Sequence, residues 1–208
     1  MNTNHERRIL NAKVELRAAA DGKPALVVGY AAVYGSRSNT LRSSRGDFVE
    51  VIEPGFFEPA LNDDVRALFN HDANLVLARS NAGKGSLRLF SDEVGLGYEF
   101  EAPDTTAGRD LVVSIKRGDV DNSSFGFRVK DGGDSWERRD GVLVRTLRKG
   151  GCAALVDVSP VTYPAYPETE VATRSVSIDQ FLDAEKRQEA PTQPPLDLWE
   201  KRLAFLRK

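Results

Sequence analysis

Apolar and polar residues alternate in short runs along most of this chain, and turn residues close each run before it grows long. Leu87 and Leu89, then Tyr98 and Phe100, alternate with polar neighbours on either side of Asp92-Glu93-Val94-Gly95. That pattern predicts an antiparallel pair, because side chains of a strand point to opposite faces in turn. Ala25–Tyr34 reads as a buried strand, and Asp47–Ile52, Asp64–Phe69 and Ser123–Lys130 as further strands. Ser135–Arg138 and Val142–Leu147 predict a hairpin around Arg139-Asp140-Gly141, and Cys152–Val158 an apolar strand. Helical spacing is rarer. Asp104-Thr105-Thr106 can cap a helix that carries Ala107, Leu111 and Ile115 on one face and stops at Gly118. The whole predicts a mostly β chain (α+β), an antiparallel barrel or sandwich with a few helices.

Composition shifts mark the expected organisation. Residues 1–13 are polar and charged and read as a flexible lead-in, so the folded domain is expected over 14–176. Thr162–Pro167 is expected to be extended and Glu170–Val176 a last edge strand. Residues 177–208 read as a helical tail: a short helix over Ser177–Arg187, a proline-rich linker over 189–195, and a second helix. That second helix sets Leu196, Trp199, Leu203 and Leu206 on one face, suited to a groove on a partner or on its own domain.

With 40% hydrophobic and 29% charged residues, the chain has the balance of a soluble globular protein. The 29 basic and 31 acidic side chains leave a formal charge of −2, which gives no electrostatic reason to expect nucleic acid. No apolar run approaches the ~20 residues of a membrane span, so no membrane association is expected. The single cysteine, Cys152, cannot form an internal disulfide. With two histidines beside it, the chain is short of ligands for a thiolate and imidazole zinc site. A carboxylate-bound metal stays open, but no spaced acidic cluster suggests one, and no metal or cofactor is expected.

Three residues suit acyl transfer. Ser124 precedes Phe125-Gly126-Phe127 on a predicted strand, where a hydroxyl can face a cleft. A serine needs a base to take its proton, and histidine is the usual one. His5 lies in the lead-in, whereas His71 ends a strand and can be held. The base in turn needs a carboxylate to orient it. Asp157 is charged inside the apolar run Ala153–Val158; Asp72 is a rival, although neighbours on a strand point opposite ways. Ser123 and Cys152 are the rival nucleophiles, and Arg79 and Arg128 are candidate oxyanion partners.

Three motifs, taken in this order and spacing, resemble the prohead maturation proteases of tailed bacteriophages. They are Ala67-Leu68-Phe69-Asn70-His71-Asp72, Ser124-Phe125-Gly126-Phe127 and the run from Leu155 to Pro167 around Asp157-Val158-Ser159-Pro160. Gly29-Tyr30-Ala31-Ala32-Val33-Tyr34 and Glu53-Pro54-Gly55-Phe56-Phe57 fit the same family, and the resemblance covers about Val14 to Ser175. It implies an antiparallel β-barrel core with surrounding helices, like that of the herpesvirus assemblins. It also implies Ser124 as nucleophile, His71 as general base and Asp157 as orienting acid, where relatives often carry glutamate. The implied partners are the major capsid protein or its scaffold, with possible self-association. The implied place of action is the assembling procapsid in the host cytoplasm, with trimming of the protease itself.

Overall fold

The computed structural model describes residues 5–17, 24–162 and 176–189. In chain order the strands are β1 (Glu6–Arg17), β2 (Leu26–Val33), β3 (Phe48–Ile52), β4 (Val65–Phe69), β5 (Asp72–Asn81), β6 (Lys84–Gly85), β7 (Leu87–Ser91) and β8 (Gly95–Glu101). Helix α1 (Thr106–Arg117) follows, then β9 (Asn122–Val129), β10 (Asp134–Arg139), β11 (Val142–Leu147), β12 (Cys152–Val161) and helix α2 (Val176–Glu189). Nine strands form one sheet in the order β6-β5-β4-β12-β9-β1-β2-β8-β7. Its end strands come back beside each other, so the sheet nearly closes into a barrel. A smaller sheet, β10-β11-β3, lies beside it.

The chain is therefore mostly β, as the alternation predicts. Every pairing in the large sheet is antiparallel except β12 with β4, and β11 runs parallel to β3 in the small one. Helix α1 starts as its cap predicts, with the Thr105 hydroxyl oxygen accepting from the Gly108 N–H at 3.1 Å. Gly118 ends it in the left-handed region, φ 80°.

Two expectations at the ends change. The first strand begins at Glu6, inside the segment expected to be a flexible lead-in. It pairs with β9 through Arg8↔Phe125 and Ile9↔Ser124, and farther along with β2. The reason is a buried ion cluster. Arg8 meets Glu50 with Nε and Nη2 at 2.8 and 3.0 Å. Arg145 meets Glu6 at 2.6 and 3.0 Å, Asp134 at 2.8 Å and Glu50 at 3.1 Å. Arg8 also pairs with Glu6. The charges that look solvated in sequence are thus matched inside the fold, as buried charges must be.

At the other end, α2 packs on the smaller sheet rather than standing apart as a tail. Its Ile178 is fully buried with Phe48, Trp136 and Leu143, and Phe181 and Leu182 pack against them. Ser177 donates to Asp134 at 2.7 Å and accepts from the Trp136 indole at 3.0 Å, which ties the helix to the ion cluster. The expected last edge strand reaches Val176, which belongs to α2; the rest of it, the stretch 163–167 and the tail from 190 onward lie outside the described residues.

An aromatic platform holds β9. Phe125 and Phe127 point into the core, where Phe57 meets Phe125 edge-on at 5.3 Å and Phe56 meets Phe127 edge-on at 5.8 Å. Such pairs contribute roughly 0.5–1.5 kcal/mol each beyond their burial. Phe56 and Phe57 follow the turn at Gly55, φ 82°. With the phenylalanines fixed below, alternation sets Ser124 and Gly126 on the opposite face of β9.

Candidate active site

Ser124 stands on β9, directly across from Ser159 of β12, and Gly126 stands across from Asp157. A register shift between Leu155 and Asp157 bends β12 at this point. His71 reaches over both strands from the β4–β5 hairpin. That hairpin turns on only two residues, Asn70 and His71, with φ of 54° and 59°. Both lie in the left-handed region, as a type I′ turn requires, and histidine enters it at a cost. Asn70 pins the turn to the end of β12: its N–H donates to the Pro160 carbonyl at 3.0 Å, and its side-chain oxygen accepts from the Thr162 N–H at 2.9 Å. The sequence predicts that His71 ends a strand; the structure puts it in a tight turn after β4.

The structure brings the three predicted residues together. His71 Nε2 lies 2.5 Å from Ser124 Oγ, and His71 Nδ1 lies 2.5 Å from Asp157 Oδ1. Burial works against the Asp157 charge. The hydrogen bond and charge of His71, the Ser159 hydroxyl and Arg7 outweigh it and hold the carboxyl below its usual range. Asp157 is thus ionised and can accept from the Nδ1–H, which leaves Nε2 free to accept the serine proton. Ser124 Oγ is also 2.9 Å from the Arg8 carbonyl oxygen of β1, and the serine is fully buried. Its single proton goes to one acceptor at a time.

The rivals lie elsewhere. Ser123 points to the other face and hydrogen-bonds the Tyr98 hydroxyl at 2.7 Å. Asp72 turns its carboxylate onto the Asn74 N–H at 2.8 Å. Arg79 holds Asp64 with two hydrogen bonds of 2.7 and 2.8 Å on the outer hairpin. Arg128 is exposed, and neither arginine is placed as an oxyanion donor by a contact to the triad. His5, expected to be free, lies near the site: a Cβ on Gly126 would be 3.7 Å from its ring. Cys152 is 3% exposed, and burial pushes its thiol up to about 12. At pH 8 fewer than ~1 in 10³ such thiols are ionised. Iodoacetamide at pH 8 is therefore expected to leave Cys152 unmodified in the native protein and to alkylate it in urea. Rapid native alkylation, read by intact mass, would contradict this.

Gly126 makes room for a side chain of the neighbouring strand. The space where its Cβ would stand is taken by the Asp157 carboxylate, with Oδ2 only 2.5 Å away. Gly126→Ala is expected to push the carboxylate off His71 and lower kcat by ~10²-fold, as displacements near 1 Å do. A rate within threefold of wild type would sink that account. Ser159 was missed. Its place two residues from Asp157, on the same face of a strand, is the signal that could have found it.

A barrel that sets a serine, a histidine and an aspartate in this order carries the constellation that serine hydrolases use for acyl transfer. The chain matches the caudovirus prohead serine protease family over residues 12–184 and belongs to that family. Among solved structures it is similar to the bacteriophage T4 capsid assembly protease, gp21, with 11% identity and a TM-score of 0.39, over 73% of this chain and 98% of that one. No curated protein matches it. Among the described residues no helix is long and apolar enough to cross a membrane.

Proposed function

We propose that this chain is the serine endopeptidase of phage prohead maturation, with Ser124 as nucleophile, His71 as general base and Asp157 as the acid that orients it. The observation that carries the reading is the single imidazole held at 2.5 Å from both the hydroxyl and the carboxylate. In the first step Ser124 Oγ forms a bond to the substrate carbonyl carbon while its proton passes to His71 Nε2. The tetrahedral adduct then collapses, the C–N bond breaks, and His71 returns the proton to the leaving amine. Water, deprotonated by His71, hydrolyses the acyl-enzyme and restores Ser124. Asp157 stays ionised throughout and stabilises the imidazolium. The substrates are the major capsid protein or its scaffold, met inside the procapsid of the infected cell, and the protease also trims itself.

One observation favours a second reading. Ser124 is closed off from solvent, and its hydroxyl lies against the Arg8 carbonyl. A chain locked in that state would serve as an assembly component without catalysis. Co-expression with the phage capsid protein separates the two. The peptidase reading expects the capsid protein's N-terminus to shorten with wild type and to stay intact with Ser124→Ala, by intact mass. Shells that assemble with no shortening in either case would support the assembly reading.

A further inference from the structure

We infer that Ser159 is a positioning residue of this site: its hydroxyl fixes the Asp157 carboxylate and, with it, the tautomer of His71. The inference rests on the peptidase reading for its kinetic consequence only; the tautomer can be read without it. Ser159 is fully buried on β12. Its Oγ donates to Asp157 Oδ1 at 2.8 Å and lies 3.3 Å from His71 Nδ1. A carboxylate has no proton to give, so the Ser159 proton points at Asp157 and the hydroxyl lone pairs are left facing His71. Two oxygens, Asp157 Oδ1 and Ser159 Oγ, therefore converge on Nδ1, and both are acceptors there. A proton on Nδ1 satisfies them; a bare Nδ1 would face lone pairs. Nε2, 2.5 Å from Ser124, is thereby kept as the acceptor.

The carboxylate is confined from two sides. Ser159 holds Oδ1, while Oδ2 fills the space left by the missing Cβ of Gly126. Without the hydroxyl, Oδ1 keeps one side-chain hydrogen bond among the described residues, that to His71, and the terminal torsion of the carboxylate is intrinsically broad. Ser159 also stands directly across from Ser124 in the β9–β12 ladder, so the four side chains share one sheet face and one hydrogen-bonded chain.

Histidine labelled with ¹⁵N tests this, at a pH where the imidazole is neutral. The chain has two histidines, and His5→Gln assigns the signals. Wild type is expected to show His71 as the Nδ1–H tautomer. Ser159→Ala is expected to populate the Nε2–H form and to lower kcat by roughly 10- to 100-fold with KM unchanged. Ser159→Thr, which keeps the hydroxyl, is expected to restore both. Ser159→Cys, a weaker donor of similar size, is expected to shift the tautomer the same way as alanine, so a poorly folding alanine variant does not end the test. An unchanged tautomer in Ser159→Ala and Ser159→Cys would overturn the inference, whatever their rates. If wild type hydrolyses nothing, the peptidase reading fails, and the tautomer alone decides Ser159.

Discussion

Ser124→Ala is expected to lower kcat for capsid-protein cleavage by ~10⁴-fold or more, and His71→Ala by a similar factor. The geometry also predicts what the two do together. In the proposed mechanism Ser124 attacks only if His71 takes its proton, and His71 has nothing to deprotonate in that step without Ser124. The double variant should therefore be no slower than either single one, because groups that act as one unit are not additive. KM should stay within a few-fold, since neither side chain is needed to hold substrate. The fold should also survive. The alanine at 124 removes one hydroxyl from a strand still held by Phe125 and Phe127, and by its backbone pairing with β1 and β12. Losses that multiply in the double variant would mean that the two residues act separately, which contradicts the mechanism.

The second large effect falls on stability. Arg145→Met is expected to destabilise the protein by roughly 3–5 kcal/mol, the range for removing one partner of a buried ion pair. Arg145 is 1% exposed and touches Glu6, Glu50 and Asp134. Methionine fills part of the volume but leaves Glu6 and Glu50 with Arg8 as their remaining buried guanidinium among the described residues, and takes the Arg145 guanidinium away from Asp134. Against a typical total of about 5–15 kcal/mol, that loss is large. In urea the midpoint should fall with the slope unchanged.

The pH dependence has a definite sign. Burial opposes the Glu6 charge, but Arg8 and Arg145 outweigh it and lower its carboxyl from 4.5 to about 2. In wild type that group contributes stability above its unfolded value, and the contribution is lost as pH falls from about 4.5 towards about 2. In Arg145→Met the Glu6 carboxyl loses one of the two guanidinium groups that hold it low, so its contribution shrinks. The part of the stability gap that Glu6 carries should narrow as pH drops from about 4.5 towards about 2. A loss below 1 kcal/mol at pH 7, or a gap that widens in acid, would show that the cluster does not hold the fold as described.

The same cluster shows why parts of this protein were legible in sequence and others were not. Alternation through Ser123, Ser124, Phe125, Gly126 and Phe127 is a local pattern, and the two serines lie on opposite faces as it predicts. Asp157 was visible as a charge inside an apolar run. His71 was visible because only two histidines exist. The partners of Glu6 and Arg8, in contrast, lie at Glu50 and Arg145, far away in the chain. Nothing local distinguishes their charges from those of a solvated lead-in, so β1 was missed at its start. The turn at Asn70-His71 was missed because it lacks the glycine that marks most two-residue hairpins, although asparagine and histidine both enter the left-handed region more readily than other side chains. Ser177 opened the expected helical tail because its partners, Asp134 and Trp136, lie 43 and 41 residues away on β10.

The most direct test of the central claim is covalent labelling of the intact protein with a fluorophosphonate, followed by tryptic mapping of the segment Gly118–Arg128. One phosphonyl group, carried by Ser124, is expected, and none in His71→Ala. Label on Ser123, or equal labelling without His71, would contradict it.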